Sequence, residues 1–144
     1  MGLFDKFSST VELTPTVAVA TAMIYMMSSD GEIAEEEMHY LAMTLQSFGN
    51  PQEIIDMASK YAKKNNLGVF LRESNKMLND DQKMTILANL IDVLLSDGAA
   101  EEEEQELFYR FTEAYGVSDD EIQPYIDIIS VKNDFAIFLE TEAV

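Results

Sequence analysis

Apolar residues recur at three- and four-residue intervals along most of the chain, the spacing of helices that bury one side. Thr14-Pro15, a cap residue followed by proline at the first helical position, opens a helix that runs to about Ser28. Val17, Ala18, Val19, Ala20, Ala22, Met23, Ile24, Met26 and Met27 cover most of its circumference, as in a helix surrounded by others. A second helix is expected over about Glu35–Phe48, with Met38, Leu41, Ala42 and Leu45 on one face and Gly49 as its stop. Asn50-Pro51 starts a third helix, which carries Ile54, Ile55, Met57, Ala58 and Tyr61 and ends at Asn65-Asn66. A fourth spans about Leu67–Leu78. Asn79 and Gln82 have the spacing of a capping box and begin a fifth helix, about Asp80–Leu95, again apolar on most sides. The sixth covers about Glu101–Tyr115, with Leu107, Phe108, Phe111 and Ala114 inward and Gly116 closing it. Ser118 and Glu121 cap a seventh, expected to kink or restart at Pro124. A last short helix over about Asp134–Glu140 is expected to bury Phe135, Phe138 or Leu139.

The pattern repeats. Ser29-Asp30-Gly31 and Ser96-Asp97-Gly98 stand 67 positions apart, as do Glu35-Glu36-Glu37 and Glu102-Glu103-Glu104, and Phe48-Gly49 and Tyr115-Gly116. The chain therefore reads as an all-α single domain of seven or eight helices with two related helix–DG turn–helix hairpins, about 14–50 and 80–117. Residues 1–13 form an N-terminal arm and residues 14–144 the helical domain.

Composition narrows the function. The chain has 144 residues, no cysteine, one histidine and a formal net charge of −18. Disulfides, thiolate chemistry and cysteine metal sites are excluded. The charge argues against a nucleic-acid partner and against an anionic membrane surface, and favours cations or a basic protein. The apolar run Val17–Met27 is shorter than the ~20 residues of a membrane span. MGLFDKF lacks a signal peptide's cationic and apolar regions, so a cytoplasmic protein is expected; Leu3, Phe4 and Phe7 either touch a membrane or partner or, on the simpler reading, pack on the core or are unordered.

The two acidic turns carry the candidate chemistry. With Gly31 at position 6 of a calcium loop, Asp30 falls at 5 and Glu37 at 12; Asp97, Gly98 and Glu104 fall likewise. The first half of each loop is missing, because positions 1 and 3 are Met26 and Ser28, or Val93 and Leu95. Each turn is at most half a site, and a joint site needs the two turns at one end of the molecule. The other reading needs no metal. The glycines make a turn, the aspartates bond its amides, and the glutamates answer the helix dipole where no Ser, Thr, Asp or Asn caps. Both readings stand on the residues alone.

Other motifs carry less. Glu36-x-x-His39 has the spacing of a di-iron ligand pair, but its required second histidine does not exist. Met23, Met26, Met27 and Met43 fall at core spacing. Lys60, Lys63, Lys64, Arg72, Lys76 and Lys83 gather in the middle section, giving a mixed-charge patch apart from the acidic turns.

Thr16-Val17-Ala18-Val19-Ala20 leading into Ser29-Asp30-Gly31 and Glu35-Glu36, with the second Ser96-Asp97-Gly98 and Glu102-Glu103-Glu104, resembles the tellurite-resistance protein TerB and its TerB-like relatives. The likeness covers about residues 14 to 122 and extends to the opening Leu3-Phe4-Asp5-Lys6. It implies a non-enzymatic all-helical module that binds divalent cations, with calcium the candidate. It further implies an adaptor role in a bacterial stress or tellurite-resistance complex, peripheral at the inner membrane, with a protein partner or a second copy. Carried over position by position, the acidic pattern selects Asp30, Glu32, Glu36, Glu37, Asp97, Glu103 and Glu104 as metal ligands. Ala99 departs from it where the first turn has Glu32, so the second half-site is poorer. The alternative is a metal-independent interaction domain whose acidic turns are helix starts.

Overall fold

The computed structural model describes residues 11–29, 32–96 and 100–140. Among them are eight α-helices: α1 (Pro15–Met27), α2 (Glu35–Leu45), α3 (Pro51–Lys64), α4 (Leu67–Met77), α5 (Asp80–Leu95), α6 (Glu102–Tyr115), α7 (Asp119–Asn133) and α8 (Ala136–Glu140). A 3₁₀ turn, Gln46–Phe48, follows α2, and no strand occurs among the described residues. Leu3, Phe4 and Phe7 lie outside them, as do Asp30, Gly31, Asp97, Gly98 and Ala99.

Local chemistry sets most boundaries. The Thr14 hydroxyl accepts from the Val17 amide at 3.3 Å, and Pro15 occupies the first helical position without wasting a donor. Asn50 accepts from the amides of Gln52 and Glu53 ahead of α3, and Asn66 from that of Val69 ahead of α4. Asn79 with Gln82 and Ser118 with Glu121 form reciprocal boxes at the starts of α5 and α7. Gly116 ends α6 at φ 70°, and the Val117 amide returns to the Thr112 carbonyl at 2.9 Å. Pro124 lies inside a continuous α7 rather than dividing it.

α1 sits at the centre. It packs most extensively on α3 and α5, and also touches α2, α4 and α6. Val17, Ala18, Ala20, Ala22, Met23 and Met26 are at most 1% exposed, which explains why this helix has no polar side. Buried Thr21 fits there because its hydroxyl donates to the Val17 carbonyl at 2.7 Å. α5 is the second central helix, with Ile86, Leu87, Leu90 and Ile91 buried, and it carries α6 and α7. α3 packs on α1 as α7 packs on α5, and their first turns, Pro51 and Ser118, stand 67 positions apart. A row of rings ties the parts together: Tyr25 meets Phe70 (5.6 Å), Phe70 meets Phe111 (6.2 Å), and Phe111 meets Tyr115 (6.1 Å).

Several sequence expectations are corrected, and Met57 of α3 is among them, since it is exposed. Met43 is 56% exposed, on the side of α2 away from buried Leu41 and Leu45. Met38 is also exposed, and Gln46–Phe48 tightens into 3₁₀ geometry instead of extending α2. Phe135, Phe138 and Leu139 are not buried: each is at least 68% exposed, because five-residue α8 follows the end of α7 without folding back onto the core.

Candidate functional site

The acidic helix starts are built on backbone hydrogen bonding. Ala34 is the N-cap of α2 and has no side-chain acceptor, but the Glu37 carboxylate accepts from the Ala34 amide at 3.0 Å. At α6 the Glu104 carboxylate accepts from the amide of its N-cap, Glu101, at 3.2 Å. Each glutamate thus makes the returning half of a capping box. The remaining first-turn acids, Glu35, Glu36, Glu102 and Glu103, face the positive ends of the two helix dipoles.

One groove brings the two halves together. Tyr25, Ser28 and Ser29 at the end of α1 line it with Glu103, Glu106, Leu107 and Arg110 of α6, around about 390 Å³ of space. The stretch leading to the first DG turn therefore faces acids of the second hairpin. The Tyr25 hydroxyl is held by the Asn65 carbonyl at 2.7 Å, which fixes the ring at the edge of the groove, and burial raises its pKa. Glu103, Glu106 and Arg110 share this side of α6 through spacings of three and four residues.

The seven proposed ligands separate into four sets. Asp30 and Asp97 lie outside the described residues. Glu32 and Glu36 are exposed, and Glu37 and Glu104 each commit an oxygen to an N-cap amide. Glu103 lines the groove. Among the described residues no group of three or more His, Asp or Glu side chains is placed to hold a metal ion. Calcium takes six to eight oxygens, so the described residues do not by themselves fit it. Glu106 and Arg110 were not singled out in the sequence. Their spacing from Glu103 was the available signal, hidden in a run rich in acids.

A second polar cluster lies elsewhere. Asp92 of α5 accepts from the Tyr40 hydroxyl of α2, from Lys132 Nζ at 3.0 Å and from Asn133 Nδ2 at 2.9 Å, both of α7. Burial pushes the Asp92 carboxyl up, but these hydrogen bonds and the Lys132 charge outweigh it and hold its pKa below the usual value. The cluster is a clamp joining three helices. His39 is exposed.

Fold and site together define an acidic, all-helical module built around two central helices. The family model described as Tellurite resistance protein TerB matches residues 16–125, and the chain belongs to that family. No curated protein and no solved structure matches it. No helix among the described residues is long and apolar enough to cross a membrane.

Proposed function

We propose that this TerB-family chain is a non-catalytic, cation-responsive adaptor. Its acidic end takes up a divalent cation, calcium first, and docks a protein partner in a tellurite-resistance or related bacterial stress complex. The supporting observation is the groove in which Ser28 and Ser29, just before Asp30, face Glu103 and Glu106. Asp30, Asp97 and Glu103 are the acids on which uptake would depend, and the cation would relieve the repulsion of a chain with net charge −18.

A second reading has its own observation. The Glu37 and Glu104 hydrogen bonds to N-cap amides give those acids a structural purpose without metal. On that reading the module meets a basic partner surface directly.

Titration with Ca²⁺ at constant ionic strength, followed by calorimetry and thermal unfolding, separates the two. Cation uptake raises the unfolding temperature in step with RT ln(1 + [L]/Kd). In D30N/D97N the response disappears and the metal-free fold is as stable as before or more so. A wild-type protein whose unfolding temperature is unmoved by Ca²⁺ leaves the metal-independent reading.

A further inference from the structure

The outer side of α7 and residues 135–139 form an apolar surface that the core does not use. Ile122 and Ile129 turn α7 inward, whereas Ile128 and Val131, three residues apart, point away from the core at 69% and 77% exposed. Phe135, Ile137 and Leu139 continue the surface at 53–71% exposed, and Phe138 lies against Phe135 with ring centroids 6.4 Å apart. At such exposures side chains of this size leave roughly 100–150 Å² each in water, so the six supply about 600–900 Å². A typical monomer's largest apolar patch is about 300–600 Å². A standard protein interface takes about 800 Å² from each partner.

Low local charge permits a second copy as the occupant. The chain carries a net charge of −18, yet residues 123–140 contain only Asp127, Lys132, Asp134 and Glu140. Lys132 is tied to Asp92, and the three acids exceed it by two units. Little charge on this surface therefore opposes the approach of a second, strongly acidic copy. A basic partner would be drawn to the acidic helix starts, and an anionic membrane would repel the whole chain.

We propose that the α7–α8 surface is a self-association face, through which two copies pair the same apolar patch about a two-fold axis. Pairing on this face leaves the α1–α6 groove open. It does not depend on the cation reading above and holds with or without Ca²⁺.

Sedimentation equilibrium of the full chain in EDTA, at up to about 100 µM, tests this. A dimer is expected, and it should tighten as NaCl is raised, because salt screens the repulsion between like-charged copies. I128E/V131E, altered only at exposed positions, should keep the wild-type circular dichroism, and the wild-type unfolding temperature at concentrations where both are monomeric, while weakening the dimer about a hundredfold. A monomeric wild type overturns the proposal, as does a dimer unaffected by I128E/V131E. A monomer that binds phosphatidylcholine vesicles through Ile128 and Val131 overturns it in favour of a lipid surface.

Discussion

Ser74 of α4 and Tyr115 of α6 share a buried hydrogen bond, with their hydroxyl oxygens 2.8 Å apart. Ser74 Oγ also lies 3.4 Å from the Leu71 carbonyl. The pair fastens the middle section to the second hairpin inside the core. Burial pushes the Tyr115 phenol up to about 12, with Ser74 pulling slightly the other way. A raised phenol pKa means that the folded protein holds a proton the unfolded chain gives up near pH 10. Its contribution is complete below pH 10 and is lost as pH rises toward 12, by roughly 2 kcal/mol. Tyr115→Phe should flatten the alkaline fall in stability over that window, measured by urea unfolding at several pH values. Burial also raises the Tyr40 and Tyr61 phenols, so part of the fall remains.

The Asp92 clamp predicts acid sensitivity of the opposite sign. Its carboxyl lies below the ordinary value in the folded protein, so its contribution is present above about pH 4 and fades as pH drops through the folded pKa. Asp92→Ala removes the acceptor for three donors and should cost about 1–3 kcal/mol. Hydrogen exchange should show the loss first at the C-terminal turn of α7, where Lys132 and Asn133 attach.

Cap and metal roles of the first-turn acids can be separated by substitution. Glutamine can still accept from the N-cap amide but is a poor cation ligand. E37Q and E104Q should each lose no more than about 1 kcal/mol of metal-free stability, through the dipole, whereas E37A and E104A lose the hydrogen bond and should cost about 0.5–2 kcal/mol. Thermal unfolding of the four variants in EDTA decides this. Equal losses for glutamine and alanine would show that the charge, not the hydrogen bond, matters at these positions.

A cavity of about 230 Å³ opens among α5, α6 and α7, lined by Ile91, Leu94, Phe108, Ile126 and Ala100. Ala100 stands 67 positions after Ile33, which packs partly buried against the core of the first hairpin. The second hairpin lacks the matching methyl groups. Ala100→Ile should fill part of the space and stabilise by about 0.5–2 kcal/mol. Ile91→Ala, on the same wall, enlarges it and should destabilise by about 2–5 kcal/mol. Chemical unfolding of both variants checks the opposite signs.

Much of this architecture was legible before any coordinate. The bounds of α5 read directly from the Asn79–Gln82 box and the DG that follows Leu95, because both ends carry local chemistry. The centrality of α1 and α5 followed from their lack of a polar side. The end of α2 was not legible, since Gln46 to Phe48 are compatible with either helical geometry. The exposure of Phe135 and Leu139 was not legible either: a short apolar run reads alike whether it meets this chain's core or something else. The Asp92 clamp joins residues 52 and 40 positions apart, and only packing brings them together. In the groove, Glu106 carried the right spacing from Glu103 but was one acid among many.

The position of α1 bears on how the protein can be divided. It borders five other helices, drawn from both sides of the Asn65-Asn66 junction. A chain severed at that junction would give an N-terminal piece with α1 stripped of α4, α5 and α6, and a C-terminal piece with a bare trough where α1 belongs. Neither piece can shelter its apolar surface alone, so each should be insoluble or only loosely collapsed when made by itself. Produced in one cell, the two should recombine without a peptide bond between them. Such reassembly would report that two proteins attached to the pieces have come within reach of each other.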